Sequence, residues 1–168
     1  MPAAMPHWRA MVAADLPAVQ ALAGNIHPDF PEDAAVFADR LALHPAGCFT
    51  LDRDGKAIGY VLSHPWHFKQ PPKLNDILGE PAMSATTYYI HDLALLPAAR
   101  KTGAAAAIVE MLAVQARALQ LPNMTLVAVN NSVHFWRRQG FDIVVDPRLD
   151  LYLQSYDTQA CFMSRDLT

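Results

Sequence analysis

Only two cysteines, Cys48 and Cys161, occur in the 168 residues. They lie far apart, with neither the paired spacing of a metal site nor the density of a secreted disulfide framework, so no metal is expected. There is no Gly-x-Gly-x-x-Gly run and no phosphate-loop lysine motif, which argues against a doubly wound nucleotide-binding domain. Basic residues form no cluster: 13 Lys and Arg are scattered against 16 Asp and Glu, for a formal charge of −3. Neither a nucleic acid nor a membrane surface is therefore an expected partner. The longest apolar run, around residues 104–114, is interrupted by Glu110 and is too short to cross a bilayer. Residues 1–7 lack the apolar block of a leader peptide, and a reduced, cytoplasmic protein is the expectation. Internal repeats, low-complexity tracts and linkers are absent too. A single domain spanning 1–168 follows, long enough to bury a sizeable core.

What is present alternates strands and helices. Residues 7–12 read as a strand, and Asp15 as the cap of a helix with Leu16, Val19, Leu22 and Ala23 on one face. A second helix is expected over 31–44, with Pro31, Glu32 and Asp33 in its first turn and Val36, Phe37, Arg40 and Leu41 toward the sheet. Strands at 48–51 and 57–63 flank Asp52-Arg53-Asp54-Gly55, whose Asp-Gly is a hairpin signal. Residues 64–85 carry Pro65, Pro71, Pro72 and Pro81, and read as a long functional loop with one helical turn near 74–78. A strand at 86–96 precedes a helix at 103–120 that buries Ile108, Met111, Leu112 and Leu119. A strand at 124–129, a helix at 132–139, a strand at 141–145 and a closing strand at 160–165 complete the chain. The fold class is a mixed α/β sheet.

The most informative stretch runs from Leu93 to Ala107. An apolar strand stops at Pro97, Arg100-Lys101-Thr102 forms a basic turn, and Gly103 followed by four alanines opens a helix. Free N–H groups and the positive end of the helix dipole favour an anion there. Small residues let a bulky ligand approach the backbone. The pattern suits a pyrophosphate, and so a nucleotide or coenzyme, although an ordinary strand-to-helix junction would use small residues as well.

Arg100-Lys101-Thr102-Gly103-Ala104-Ala105 resembles the Gln/Arg-x-x-Gly-x-Gly/Ala motif of the GNAT superfamily of acyl-CoA-dependent N-acetyltransferases. Ser132 to Phe141, a short helix with the aromatic pair Phe135-Trp136 ending in Gly140-Phe141, is similar to a second signature of that family. The order of elements agrees over nearly the whole chain. Tyr89-Ile90-His91-Asp92-Leu93-Ala94-Leu95 is also similar to the His-Ile-His-x-Leu-Ala-Val run of arylalkylamine N-acetyltransferases, with Tyr89 replacing the first histidine. The resemblance implies a central, mostly antiparallel sheet of six to seven strands flanked by about four helices.

It further implies transfer of an acetyl group from acetyl-CoA to the primary amine of a small molecule, by direct attack in a ternary complex. Main-chain groups of Leu93, Ala94 and Leu95 would pair with the pantetheine arm, and those of Arg100, Lys101, Thr102, Gly103, Ala104 and Ala105 with the pyrophosphate. An N–H of Leu93 or its neighbour would meet the oxyanion. His91 is the candidate base, because histidine moves protons near neutral pH. Asp92 is the rival if the strand register is one residue out, and a purely structural His91 stays open. Strand alternation puts His91 on the face of Tyr89, Leu93 and Leu95, and Asp92 on the other. Trp136 stands where the family usually has a tyrosine that protonates the leaving thiolate. Indole cannot titrate usefully, so Trp136 either packs against the coenzyme or leaves the role to His134, Tyr152 or Tyr156. Asn130 and Asn131 would cap the short helix and touch the coenzyme. Trp66, His64 and Tyr89 are candidates for the acceptor site, while His7, His27 and His44 read as surface or capping residues. A protein or peptide N-acetyltransferase and a non-catalytic acyl-CoA-binding module are the alternatives. Pairing into a homodimer is compatible with the resemblance.

Overall fold

A computed structural model describes residues 4–168; residues 1–3, the start of the segment read as lacking a leader, lie outside the described residues. Seven strands form one sheet in the order β1-β2-β3-β4-β5-β7-β6. They are β1 (His7–Ala10), β2 (Cys48–Arg53), β3 (Lys56–Trp66), β4 (Thr87–Leu95), β5 (Asn123–Ala128), β6 (Asp142–Ile143) and β7 (Cys161–Asp166). All neighbours are antiparallel except β4 and β5, so the expected mixed, mostly antiparallel sheet is observed. β7 does not close an edge but inserts between β5 and β6.

Five helices cover the sheet among the described residues: α1 (Leu16–Ile26), α2 (Ala34–Leu43), α3 (Ala104–Ala118), α4 (Val133–Arg138) and the four-residue α5 (Asp150–Leu153). On one face Val19 and Leu22 of α1 and Phe37 of α2 pack with Tyr60, Leu62 and Ala94. On the other, Ile108, Val109, Leu112, Ala113 and Ala116 of α3 pack with Tyr88, Ile90 and Val61, and Trp136 and Phe141 extend this core. The hairpin between β2 and β3 turns at Asp54 (φ 54°) and Gly55 (φ 79°), the two positive values that a primed two-residue turn requires. No described helix is long and apolar enough to cross a membrane.

Several local expectations are corrected. Asp15 does not cap α1; its carboxylate is held by Arg9 at 2.8 and 2.9 Å and by the Val12 N–H at 2.9 Å. α2 starts at Ala34, not Pro31, because Glu32 leaves the helix to meet the sheet. α3 is rotated from its expected face: Met111 and Leu119 are 39% and 48% exposed, while Ala113 and Ala116 are buried. Small side chains bring the helix close to the sheet, and that stripe wins over the larger residues. His64, Pro65 and Trp66 belong to β3 rather than to the long loop. Residues 74–78 form no helical turn, since the Leu74 N–H donates to Ser155 Oγ (2.9 Å), the Leu78 N–H donates to Asp39 Oδ2 (3.0 Å), and Asn75 takes a φ of 66°. The strand expected at 141–145 shrinks to two residues; Phe141 turns into the core and Val145 is 90% exposed.

Candidate active site

One irregularity organises the site. Leu62 pairs with Asp92 and Ser63 with Ile90, so His91 is an extra residue in β4. Such a bulge breaks the period-2 alternation of side chains. Before it, Tyr88 and Ile90 face α3; after it, Leu93 does so, while Ala94 faces α1 and α2. The expected split of His91 from Asp92 is therefore corrected: His91 no longer shares a face with Leu93 and Leu95, and both His91 and Asp92 meet residues from the α1–α2 side.

The second irregularity is a parting of strands. Pairing of β4 with β5 covers only Tyr88 to Ile90 against Met124 to Leu126. Beyond it β4 continues to Leu95 with its β5-side edge unpaired, and a cleft of about 580 Å³ opens between the strands. Leu93, Ala94 and Leu95 line one side, and Val127, Val129 and Asn130 the other.

At the outer end the cleft reaches the start of α3. Arg100, Lys101, Gly103, Ala104, Ala105 and Ala106 line it, with Arg138 from α4 nearby. Lys101 (φ 65°) and Gly103 (φ 83°) take left-handed conformations that turn the chain into the helix. A Cβ at Gly103 would meet nothing within 4 Å, so that side of the backbone faces open space. The first bond from within the helix runs from the Ala107 N–H to Gly103 O (3.0 Å), leaving the Ala105 and Ala106 amides without helical partners. Thr102 does not line the cleft. Its hydroxyl donates to Ala99 O (2.6 Å) and accepts from the Ala104 N–H (3.3 Å), shaping the turn. Trp136 lines the cleft, is 6% exposed, and is packed edge-on between Phe135 and Phe141 at 4.9 and 5.4 Å.

At the inner end two carboxylates meet two imidazoles. His91 Nε2 donates to Glu32 Oε1 at 2.8 Å, with both side chains nearly buried. Burial works to raise the Glu32 pKa, yet the charge and hydrogen bond of His91 and the Asn75 N–H outweigh it and hold the carboxyl below its ordinary range. His91 Nδ1 is buried and has no hydrogen-bond partner among the described residues. Asp92 accepts from His27 Nε2 (3.0 Å) through one oxygen and from the Tyr60 hydroxyl through the other. Burial first, then Asp92 itself, raises the Tyr60 pKa well above normal and keeps it a donor. His27 Nδ1 in turn meets Asn130 Nδ2 at 2.7 Å. Burial disfavours the His27 cation, but the bond and charge of Asp92 and the charge of Glu32 prevail and raise its pKa.

Trp66, His64 and Tyr89 do not reach the cleft. His64 is 1% exposed, donates from Nδ1 to Pro65 O (2.9 Å), and is pushed down by burial to about 3. Trp66 donates to Gln70 O at 3.1 Å. Tyr89 is enclosed between the His64 and His91 rings, at 5.7 and 6.3 Å, and backs His91 from behind. Asn131 is exposed and outside the lining; its neighbour Asn130 is inside. The walls near His91 come instead from Ile26, Phe30, Glu32, Leu74 and Tyr156. His27, expected at the surface, lies in the cleft with a side chain 17% exposed. Among the described residues no group of His, Cys, Asp and Glu is arranged to hold a metal.

Comparison with known proteins agrees with this architecture. The model of the acetyltransferase (GNAT) family matches residues 12–141. The chain belongs to that family and is an acetyltransferase. Among solved structures, Ard1 from Thermoplasma volcanium is similar at a TM-score of 0.74 and 16% identity, covering 98% of this chain and 99% of that one. N-acetylglutamate synthase from Neisseria gonorrhoeae, complexed with coenzyme A and N-acetyl-glutamate, gives 0.70 at 17% identity over 98% of this chain and 36% of its own. The ribosomal-protein-S18-alanine N-acetyltransferase from Escherichia coli gives 0.66 at 16% identity over 98% and 95%. At these identities the likeness shows the fold alone. No curated protein sequence matches significantly.

Proposed function

We propose that this protein transfers an acetyl group from acetyl-CoA to the primary amine of a small molecule, with both substrates bound together. The observation that carries the reading is the cleft itself, which joins a basic helix start at one end to paired carboxylates and imidazoles at the other. The pyrophosphate sits on the amides of residues 100–105, where the α3 dipole and the side chains of Arg100 and Lys101 favour negative charge. The pantetheine arm lies along the free edge of β4 at Leu93 to Leu95, as an added strand would. Trp136 packs against it.

The acceptor enters on the side of Ile26, Phe30, Leu74 and Tyr156. An alkylamine arrives as an ammonium ion, which the charges of Glu32 and Asp92 attract. His91 takes the proton. With Nε2–H given to Glu32, the lone pair of His91 is left on Nδ1, and the ionised Glu32 stabilises the imidazolium that results. The free amine attacks the thioester carbonyl, and a main-chain N–H released by the bulge near His91 and Leu93 meets the oxyanion. Asp92 has both oxygens engaged by His27 and Tyr60 and acts as a fixed charge rather than as the base.

A small acceptor is favoured over a peptide because loop residues Phe30 and Leu74, with Tyr156, wall the inner end. The test measures thioester cleavage of acetyl-CoA against matched panels of alkylamines and short peptides. Turnover confined to peptides would remove the small-molecule reading; binding of acetyl-CoA without turnover on any acceptor would remove the enzyme mechanism.

A further inference from the structure

Acyl transfer to an amine ends with a thiolate leaving, and that sulfur needs a proton or hydrogen bond to leave readily. Trp136, beside the cleft, has an indole N–H that does not titrate in the useful range. The Tyr60 hydroxyl is committed to Asp92, and the Tyr156 hydroxyl donates to Pro72 O at 3.3 Å and is held as a phenol by burial. His91 is engaged with Glu32. One titratable group remains whose position matches the departing sulfur. His27 leaves the C-terminal end of α1 and reaches from Asp92 on β4 to Asn130 just beyond β5. It therefore bridges the gap where the two strands part, across the path that the pantetheine arm takes.

We propose that His27, oriented by Asp92, is the proton donor to the leaving thiolate. This inference rests on the acetyl-transfer reading given above. Asp92 fixes Nε2 as a donor, so the proton delivered comes from Nδ1. That atom lies 2.7 Å from Asn130 Nδ2, which donates to the neutral ring, and turning the amide over would present its oxygen to the protonated ring. The step balances as follows. The amine lone pair forms the C–N bond, the C–S bond breaks with its electron pair on sulfur, and the Nδ1 proton moves to sulfur to give coenzyme A thiol. His91, having passed the ammonium proton to solvent, takes the surplus proton on the new amide nitrogen, and the neutral His27 is reprotonated from solvent. Charged groups facing His27 are Asp92 on β4 and Glu32 before α2, which favour its cation, and Arg100 after β4, which opposes it.

The test is the pH dependence of acetyl transfer to the best small amine, in wild type, His27→Gln, His27→Asn and His91→Gln. Removing His27 should lower kcat at least tenfold, abolish the alkaline limb that records loss of the His27 proton, and leave the Kd of coenzyme A within threefold. The deficit should shrink when acetyl-CoA is replaced by S-(4-nitrophenyl) thioacetate, whose thiolate leaves without a proton. His91→Gln should be impaired with both donors and should keep the alkaline limb. An unchanged kcat and alkaline limb in both His27 variants would overturn the proposal, as would an equal loss with the two thioesters. A wild-type protein that acetylates no amine would overturn the underlying function, a result distinct from either.

Discussion

His91 Nε2 and Glu32 Oε1 lie 2.8 Å apart although 59 residues separate them in the chain. The bulge in β4 supplies one partner, and the segment that breaks away before α2 supplies the other. In His91→Gln the proposed base is gone while the end of the cleft proposed for the coenzyme is untouched. Turnover should fall by about 10²–10⁴-fold with the Kd of coenzyme A nearly unchanged. Glu32→Gln keeps the hydrogen bond and removes the charge that stabilises an imidazolium, so kcat should fall by at least about tenfold, or ~1.4 kcal/mol of transition-state stabilisation. Steady-state kinetics alongside calorimetric binding of coenzyme A checks both, and full activity in either variant would dissolve the pair as catalytic machinery.

Gly103 carries a different burden. Its φ of 83° favours glycine, and the space beside it is open to at least 4 Å. Gly103→Ala should cost about 1–2 kcal/mol of stability through the backbone alone. Gly103→Val adds a branched side chain on the open side, where the proposed function puts the coenzyme diphosphate. Its Kd for coenzyme A should rise well beyond that of the alanine variant, as read by calorimetry on proteins shown to be folded. Equal affinities in the two variants would move the diphosphate elsewhere.

Tyr60 is wholly buried and its hydroxyl donates to Asp92. Tyr60→Phe leaves that carboxylate oxygen unpaired in a site only 14% exposed. A lost hydrogen bond to a charged group costs roughly 1.5–3 kcal/mol. The urea midpoint should fall accordingly, with coenzyme affinity preserved. A shift within about 0.5 kcal/mol, the scale of neutral surface substitutions, would show that His27 alone suffices to hold Asp92.

The outer end of the cleft was legible in the sequence because its signals are local. A strand, a proline, a basic turn and a glycine before alanines sit in consecutive positions, and the strand end, the basic turn, the glycine and the alanines reach that end together. The inner end was legible only in His91 and Asp92. Glu32 reads as a first-turn helix charge and His27 as a helix-end residue, since nothing local shows that both are drawn to β4. The bulge at His91 is invisible to alternation, which is why Asp92 was expected on the opposite face. Trp66, His64 and Tyr89 look like pocket residues by type, yet β3 continues through Trp66 and pairs His64 with Tyr89 of β4, which leaves all three outside the cleft lining. Asn130 and Asn131 are interchangeable in sequence, and their successive left-handed backbones decide that Asn130 enters the cleft.

His64 makes the fold sensitive to acid. Burial holds its folded pKa down at about 3, whereas an unfolded histidine titrates near ~6.5. Because the folded value is depressed, the unfolded chain binds the extra proton below ~6.5. Stability is thus intact above that pH and declines as pH falls toward the folded value, by roughly 1.4 kcal/mol per unit. His44, lowered by burial as well, adds to the same slope. His27 opposes it, since its raised pKa contributes stability that is complete below ~6.5 and disappears as pH rises through the folded value. The carboxylates held low, Asp15, Glu32 and Asp39, enter only as pH drops beneath the ordinary carboxylate range. The difference between wild type and His64→Leu isolates one residue from this sum. Urea unfolding at pH 7 and pH 5 should show the wild type losing about 2 kcal/mol more than the variant over that interval. Parallel losses in the two proteins would mean that His64 accepts a proton without leaving its buried place.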